Sequence, residues 1–388
     1  MNVQQQALQK HREWMGKLEI RSKASVSSAQ DLAVAYTPGV AEPCKVIAQN
    51  PEEVYTYTGK GNLVAVVSDG SAVLGLGNIG ARAAIPVMEG KAVLFKEFAG
   101  IDAFPICLDT QEPDEIVHSV QMLAPVFGGI NLEDISAPRC FDIERRLKES
   151  LDIPVFHDDQ HGTAIVVLAG IINAMKVVHK EPAAMKVVIN GAGAAGTAIA
   201  NLLLQYGFPT ILVCDRPGIL YRGAPWMNWA QQELAQKTNP SNVQGSLQDA
   251  MRGADLFIGV SAPGVVDGEM VRSMNRDPIV FAMANPVPEI LPDIAREAGA
   301  CIVGTGRSDF PNQVNNVLAF PGIFKGALQC RQQISDAMKR NAAIAIASMV
   351  PEAQLAPDCI LPAAFAVGVA DSVAKAVVQT ALATPEDS

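Results

Sequence analysis

The sequence has no CxxC pair. Its seven cysteines, at positions 44, 107, 140, 214, 301, 330 and 359, are scattered. That scatter argues against a disulfide framework or a structural zinc site and fits a reducing cytoplasm. The five histidines form no HExxH, which excludes a zincin. Positive charge is scarce as well: Lys+Arg is 30 against Asp+Glu 40, a formal net charge of −10, with no Lys/Arg-rich run. Such a chain is a poor candidate for nucleic acid or anionic membranes, so neither partner is expected. An anionic substrate would have to be held by local cations or a metal. The start, Met1-Asn2-Val3-Gln4-Gln5-Gln6, carries no apolar signal core. The longest apolar stretch, Thr163 to Met175, is too short to span a bilayer and reads as a buried helix. No repeat or low-complexity tract stands out. What is present is a globular balance, 49% apolar and 18% charged over 388 residues, which suggests two or three domains at roughly 100–200 residues each.

The first thirty residues are polar and read as helical. Asn62–Ser68 and Ala72–Leu76 read as two strands around an Asp69-Gly70 turn, and Lys91–Phe95 and Phe104–Leu108 as further buried strands. Ile116–Ala124 has helical spacing. Ile153–Phe156 is a short strand entering His157-Asp158-Asp159-Gln160-His161, and Gly162–Lys176 a long apolar helix. From Lys186 strands and helices alternate: strand 186–189, helix 197–205, strands 211–214, 255–260, 279–283 and 301–303. Alternation of this kind indicates a parallel sheet. The fold class expected is α/β, a substrate domain plus a Rossmann-like doubly wound dinucleotide-binding domain. The domains expected are 1–160 for substrate and metal, 161–315 for NAD(P), and 316–388 as C-terminal helices returning to the first.

G-x-G-x-x-G occurs twice, at Gly75-Gly77-Gly80 and at Gly191-Gly193-Gly196, each after a strand and each about twenty residues before an acid, Glu97 or Asp215. The motif alone is weak. Pro86 follows the first loop closely and leaves room for a short helix at most, so that loop reads as a packing turn. The second opens a helix and is followed by the strand ending at Asp215. There Gly191 permits the tight turn, Gly193, with Ala194 and Ala195, lets backbone approach a pyrophosphate, and Gly196 lets helix pack on strand. Asp215 is placed to meet the adenosine ribose. Arg216, directly after it, or Arg222 is placed to meet a 2′-phosphate, which leaves NAD versus NADP open. Asn285, in Ala284-Asn285-Pro286 after a later strand, is a nicotinamide–ribose or substrate ligand or else a turn residue.

Glu133-Asp134 and Asp158-Asp159 place two pairs of acids beside apolar segments, where acids are costly unless paired or bound to metal. Oxygen-only clusters suit Mg²⁺ or Mn²⁺. Lys91 starts what reads as a buried strand and is a candidate base; a nearby dication would lower its pKa and Asp158 would raise it. Tyr36, in Ala35-Tyr36-Thr37-Pro38-Gly39-Val40, is either a packing residue or a general acid.

Together these segments, with Gly90-Lys91, Gly129-Ile130-Asn131-Leu132-Glu133-Asp134, Phe156-His157-Asp158-Asp159-Gln160-His161-Gly162-Thr163 and Asn312-Gln313-Val314-Asn315-Asn316-Val317, resemble the malic enzyme family over nearly the whole chain, in particular its small bacterial form. The resemblance implies oxidative decarboxylation of L-malate to pyruvate and CO₂ with NAD or NADP and with Mg²⁺ or Mn²⁺. It makes Tyr36 the general acid, Lys91 the general base, and Asp158 the residue that orients the lysine. It makes Glu133, Asp134 and Asp159 the metal ligands, and Asn285 and Asn315 the asparagines that hold nicotinamide and substrate, with Asn316 a weaker candidate. Larger members place a substrate-clamping arginine where Ser71-Ala72-Val73 stands here, so Ser71, main-chain N–H groups, metal or another cation must hold the carboxylate. The chain ends at Ser388 with no appended acyltransferase-like domain, as expected of a short enzyme or of the catalytic part of a longer one. A homodimer or larger homo-oligomer in the cytoplasm is expected. Alternatives are a malolactic or oxaloacetate-decarboxylating enzyme, or a non-catalytic dinucleotide sensor.

Overall fold

The structure is a computed structural model that describes residues 2–73 and 75–383. Leu74 and residues 384–388, which fall in the expected strand 72–76 and in the expected C-terminal region, lie outside the described residues. The chain opens with four short helices, α1 (Val3–Trp14), α2 (Ala29–Ala35), α3 (Ala41–Gln49) and α4 (Val54–Tyr57). A first α/β unit follows: β1 (Leu63–Ser68), α5 (Gly80–Ala99), β2 (Asp102–Cys107), α6 (Pro113–Leu123), β3 (Gly129–Leu132), α7 (Arg139–Ser150), β4 (Val155–His157) and α8 (Asp158–Val178). Its four strands are all parallel, in the order β2-β1-β3-β4. The strands read as near-continuous apolar runs because both faces are covered, as parallel sheets require.

The second unit runs β5 (Lys186–Asn190), α9 (Ala194–Tyr206), β6 (Thr210–Asp215), β7 (Gly218–Ile219), α10 (Trp229–Lys237), α11 (Leu247–Met251), β8 (Leu256–Gly259), α12 (Gly268–Arg272), β9 (Ile279–Ala282), α13 (Pro292–Glu297) and β10 (Ile302–Thr305). The sheet order is β10-β9-β8-β5-β6-β7, parallel except for the short β6–β7 pair. The chain steps outward from β5 to β6, then returns to the other side of β5 with β8. That reversal is a doubly wound switch point, and the crevice beyond the carboxyl ends of β5 and β8 is where such sheets bind ligands.

The apolar stretch Thr163–Met175 is a buried helix as expected, but it lies within the longer α8, whose 21 residues are long and apolar enough by length and composition to cross a membrane, yet are mostly buried in the protein core. It packs against α9 and against α15 (Asp336–Ser348); α14 (Phe320–Cys330) and α16 (Val369–Leu382) pack together and touch α5. Phe95 of α5 meets Phe320 and Phe324 of α14 edge-on, with ring centroids 4.8 and 5.3 Å apart.

Four expectations are corrected. The first thirty residues are not helical throughout, since α1 ends at Trp14 and α2 begins only at Ala29. Lys91–Phe95 is not a strand, and the helix after the first glycine loop is not short: α5 is one 20-residue helix with Pro86 inside it. An apolar pentapeptide such as KAVLF has no period of its own to separate buried strand from buried helix. The longer window does. Ala84, Met88, Ala92 and Phe95 recur at helical spacing and are all essentially inaccessible. Their burial outweighs the ~3 kcal/mol that one interior proline costs. The described residues of the expected strand 72–76, Ala72, Val73, Gly75 and Leu76, are likewise not in a strand. Val73 and Gly77 form an isolated antiparallel bridge in a tight loop, their amides exchanging bonds of 3.0 and 2.8 Å.

Candidate active site

Strand register builds the acidic cluster. In the parallel pair β3–β4, Leu132 lies opposite His157, so the residues that follow, Glu133-Asp134 and Asp158-Asp159, emerge side by side. Asp158 and Asp159 also occupy the first turn of α8, where the partial positive charge of a helix N-terminus favours acids. Carboxylate oxygens of Glu133, Asp134 and Asp159 lie within 4.8 Å of one another. Glu133 and Asp134 are buried and Asp159 half-buried. The Asp134 backbone N–H, on a residue with φ of 55°, donates to Asp159 Oδ2 at 2.8 Å.

The electrostatics call for a cation. Burial pushes Glu133 well above the usual carboxylate range, against the pull of Lys91, and the neighbouring Asp159, Asp158 and Asp134 push it further. Burial and the Asp159 charge push Asp134 up to about 8. Asp134 Oδ2 is buried with no hydrogen-bond partner among the described residues. Crowded all-oxygen donors with an orphaned lone pair fit a hard divalent cation of the Mg²⁺ or Mn²⁺ kind.

Lys91 reaches this cluster from α5. Its Nζ lies 2.6 Å from Asp158 Oδ2 and 2.9 Å from Glu133 Oε1, and 4.2 Å from the centre of the Phe320 ring. Burial alone would lower its pKa, but Asp158 and Glu133 outweigh burial and hold it above the ordinary lysine value. The opposition between burial and Asp158 is therefore resolved in favour of the ammonium while both carboxylates face it. Asp158 is itself fixed: Asn316 Nδ2 donates to its Oδ2 at 3.1 Å, and Thr163 Oγ donates to Asn316 Oδ1 at 3.1 Å. Asn131 Nδ2 donates to Glu133 Oε2 at 2.8 Å.

A cleft of about 1850 Å³ runs from these groups to the second glycine loop. Lys91, Glu133, Asp134, Asp159, Gly193, Ala194, Ala195, Arg216, Asn285 and Asn315 all line it. Gly191 and Gly196 lie beneath it. A Cβ on Gly196 would sit 1.8 Å from Gly191 O, and one on Gly191, whose φ is 112°, would sit 2.4 Å from Val260 O. Gly193 meets open space on the cleft side. Asp215 stands at the end of β6 and accepts from Gln231 Nε2 at 2.6 Å and from the Arg216 N–H at 2.8 Å. Arg222 is tied to its own loop through Asn242 and Pro240.

Asp158, Gly191, Gly196, Asp215 and Arg222 do not themselves line the cleft, and neither do Ser71 and Tyr36. Ser71 is buried, its hydroxyl donating to Asp69 Oδ1 at 2.5 Å and accepting from the Ser136 N–H at 3.0 Å, and it does not line the cavity. Tyr36 is 66% exposed at the end of α2 and does not line the cavity either. Residues missed in the sequence are Asn131, Thr163, Phe320 and Lys17. The first three support reacting groups without carrying a chemical signature. Lys17 lines the cleft from the N-terminal arm, its Nζ donating to Pro86 O at 2.6 Å.

The chain matches two family models end to end: "Malic enzyme, N-terminal domain" over residues 15–148 and "Malic enzyme, NAD binding domain" over residues 160–382. It is 59% identical over 386 residues to a bifunctional malic/malolactic enzyme of Bacillus subtilis (strain 168), covering 99% of this chain and 94% of that one. It is 58% identical over 370 residues to an NAD-dependent malic enzyme of Geobacillus stearothermophilus, covering 95% and 77%. Its fold superposes on the crystal structure of an NAD-dependent malic enzyme from Thermotoga maritima with a TM-score of 0.93 at 51% identity, covering 96% and 98%. With both domain models matched in order and more than half the positions shared with full-length relatives, the chain belongs to the malic enzyme family.

Proposed function

We propose that Lys91, held by Asp158, is the base that takes the C2 hydroxyl proton of malate, and that Glu133, Asp134 and Asp159 hold the divalent cation beside it. The chain oxidatively decarboxylates L-malate to pyruvate and CO₂ with reduction of NAD(P). The observation that carries the assignment is the Lys91 amine within 2.9 Å of two buried carboxylates at the edge of a three-carboxylate cluster. When bound, the cation supplies Lewis-acid polarisation of the substrate oxygens and the nicotinamide accepts a hydride. The protein's own part is charge and position. Lys91 becomes a base once the charge of Glu133 is spent on another cation, leaving Asp158 and the Phe320 ring as its partners. The protonated amine then lends its proton to the C2 oxygen after CO₂ is lost and takes it back as C3 is protonated, so that the product is the ketone. Asn316 and Thr163 keep Asp158 aimed at the amine throughout, and Asn131 does the same for Glu133.

Three cations line the cleft among the described residues. Lys91 is committed, and Arg216 stands beside Asp215 at the nucleotide end. We therefore assign the distal malate carboxylate to Lys17, with Asn285 and Asn315 as amide ligands, and Ser71 to bracing the loop that carries Asp134. Gly191, Gly193, Ala194, Ala195, Gly196 and Asp215 are assigned to the dinucleotide. The residue partition we favour keeps residues 1–160, through the first turn of α8, with substrate and metal, gives 161–315 to the nucleotide, and lets the helices of 316–388 contact both.

Tyr36 is assigned the protonation of C3, in the cleft of a second copy. Helices α1–α4 contain no buried residue, while Val3, Leu8, Val26, Leu32, Val34 and Tyr36 are exposed. An arm with so much uncovered apolar surface fits a homodimer. The seven free thiols support a cytoplasmic location.

The test is malate turnover followed by nicotinamide absorbance, abolished by EDTA and restored by Mn²⁺. The Bacillus subtilis relative's malolactic activity supports a second product from the same site. Lactate formed from malate without net nicotinamide reduction checks that.

A further inference from the structure

Behind the catalytic cleft lies a second cavity of about 320 Å³, bounded by α7, α8, α9, α10 and α15. Its volume is that of a small-metabolite site. Phe141 of α7 and Trp229 of α10 meet edge-on at its mouth, ring centroids 6.2 Å apart and planes at 87°, so the two α/β units close it jointly.

The deep end holds hydrogen-bonding capacity that the fold leaves unspent. Gln160 is 4% exposed, and its Nε2 has no partner among the described residues. The Thr197 hydroxyl is also buried without a partner. Lys339 is 6% exposed, and one bond, to Asp336 Oδ1 at 2.9 Å, is the only hydrogen bond its ammonium makes among the described residues. Asp336 is spent on Lys339 and on Gln205, and Glu144 behind the wall is spent on Lys148 and His161. The free groups that are buried can therefore all donate: an amide, a hydroxyl and an ammonium; the one lining acid without an ion pair among the described residues, Glu233, is exposed at the rim one helical turn from Lys237. Lys237, exposed at the rim, adds a second cation that makes no ion pair among the described residues. Unpaired buried donors carry a penalty that an acceptor would relieve.

Helix geometry joins this cavity to the chemistry. On α8, Asp159 and Thr163 line the catalytic cleft, while Gln160 and Ala164, the next row on the same helix, line the second cavity. On α9, Ala194 and Ala195 line the cleft, while Thr197, Asn201 and Gln205 at intervals of four line the cavity. A ligand seated there touches both helices whose N-terminal turns shape the cleft.

We propose that this cavity binds a small metabolite through a carboxylate or phosphate oxyanion, taken by Gln160, Thr197 and Lys339, and that its occupancy changes malate turnover. The inference rests on the family assignment only for the activity that is read out. Binding itself is read independently, by thermal unfolding and by the fluorescence of Trp229.

The probes are L-aspartate, L-glutamate and inorganic phosphate, added to the full chain. At saturation at least one should raise the unfolding midpoint by about 2 °C or more and change kcat/KM for malate. The amino acids separate a carboxylate from a phosphate ligand. Thr197→Val keeps the side-chain shape and Asn201→Phe fills the mouth. Both should fold, retain basal turnover and lose at least tenfold in probe affinity, and the Trp229 fluorescence change should vanish in both. No midpoint shift with any probe, or a shift of equal size in both variants, overturns the site. A shift confined to the wild type but without effect on kcat/KM overturns the coupling. Loss of all malate turnover with the shift intact would count against the family chemistry and leave the site standing.

Discussion

The two glycine loops share one spacing and do opposite things. In the loop at Gly75-Gly77-Gly80 all three glycines have φ between 73° and 76°, and the loop begins seven residues after β1 has ended. It folds on itself through the Val73–Gly77 bridge and hands over to α5, the helix that carries Lys91. In the loop at Gly191-Gly193-Gly196 only Gly191 has positive φ. That loop starts on the residue after β5, and its first and last glycines touch, leaving no room for a side chain at Gly196. Strand, turn and helix are contiguous there, which brings free N–H groups to the cleft at a switch point. A glycine pattern thus reports permissive backbone, and the distance from the preceding strand decides whether the backbone turns directly into a helix at the cleft or serves as a connector.

This contrast can be broken by substitution. The largest effect is expected on the helix that the connector feeds: Lys91→Ala should lower kcat by about 10³-fold or more while the protein folds and binds NAD(P), read by single-turnover kinetics and cofactor titration. Next is the cradle. Gly196→Ala forces a Cβ to within 1.8 Å of Gly191 O, and the required shift should raise the cofactor KM by about tenfold and cost about 1–3 kcal/mol in denaturant unfolding. At the nucleotide end, Arg216→Ala should reduce kcat/KM for NADP by about tenfold and leave NAD within about twofold, since only a 2′-phosphate needs that cation. The smallest effect is expected in the connector. Gly80→Ala meets nothing within 4 Å but must adopt φ near 76°, so it should cost about 1 kcal/mol of stability and leave both Michaelis constants unchanged. Equal cofactor defects in Gly80→Ala and Gly196→Ala would erase the distinction between the loops.

The nucleotide sheet was legible in the sequence because each strand there is a short apolar run closed by turn residues, and each helix keeps its own period. The acids were legible because charge inside apolar segments is costly. Lys91 was singled out by residue type but placed on the wrong element: Pro86 masked the period that Ala84, Met88, Ala92 and Phe95 establish across it. Ser71 looked available because its hydroxyl is small and polar, while that hydroxyl is committed to Asp69, two residues before it, and to the Ser136 N–H, 65 residues on. Lys17 had no local signal, since what brings it to the cleft is packing of the N-terminal arm along α5 near Glu89 and Pro86.

Everything in the proposed chemistry depends on Glu133, Asp134 and Asp159 holding one divalent cation within reach of Lys91. Titration of Mn²⁺ into the chelator-treated protein, followed by the loss of free-ion paramagnetic resonance signal, tests it without reference to turnover. One site per chain is expected in the wild type, weakened at least tenfold in each of Glu133→Gln, Asp134→Asn and Asp159→Asn. Undiminished Mn²⁺ binding in all three variants would contradict it.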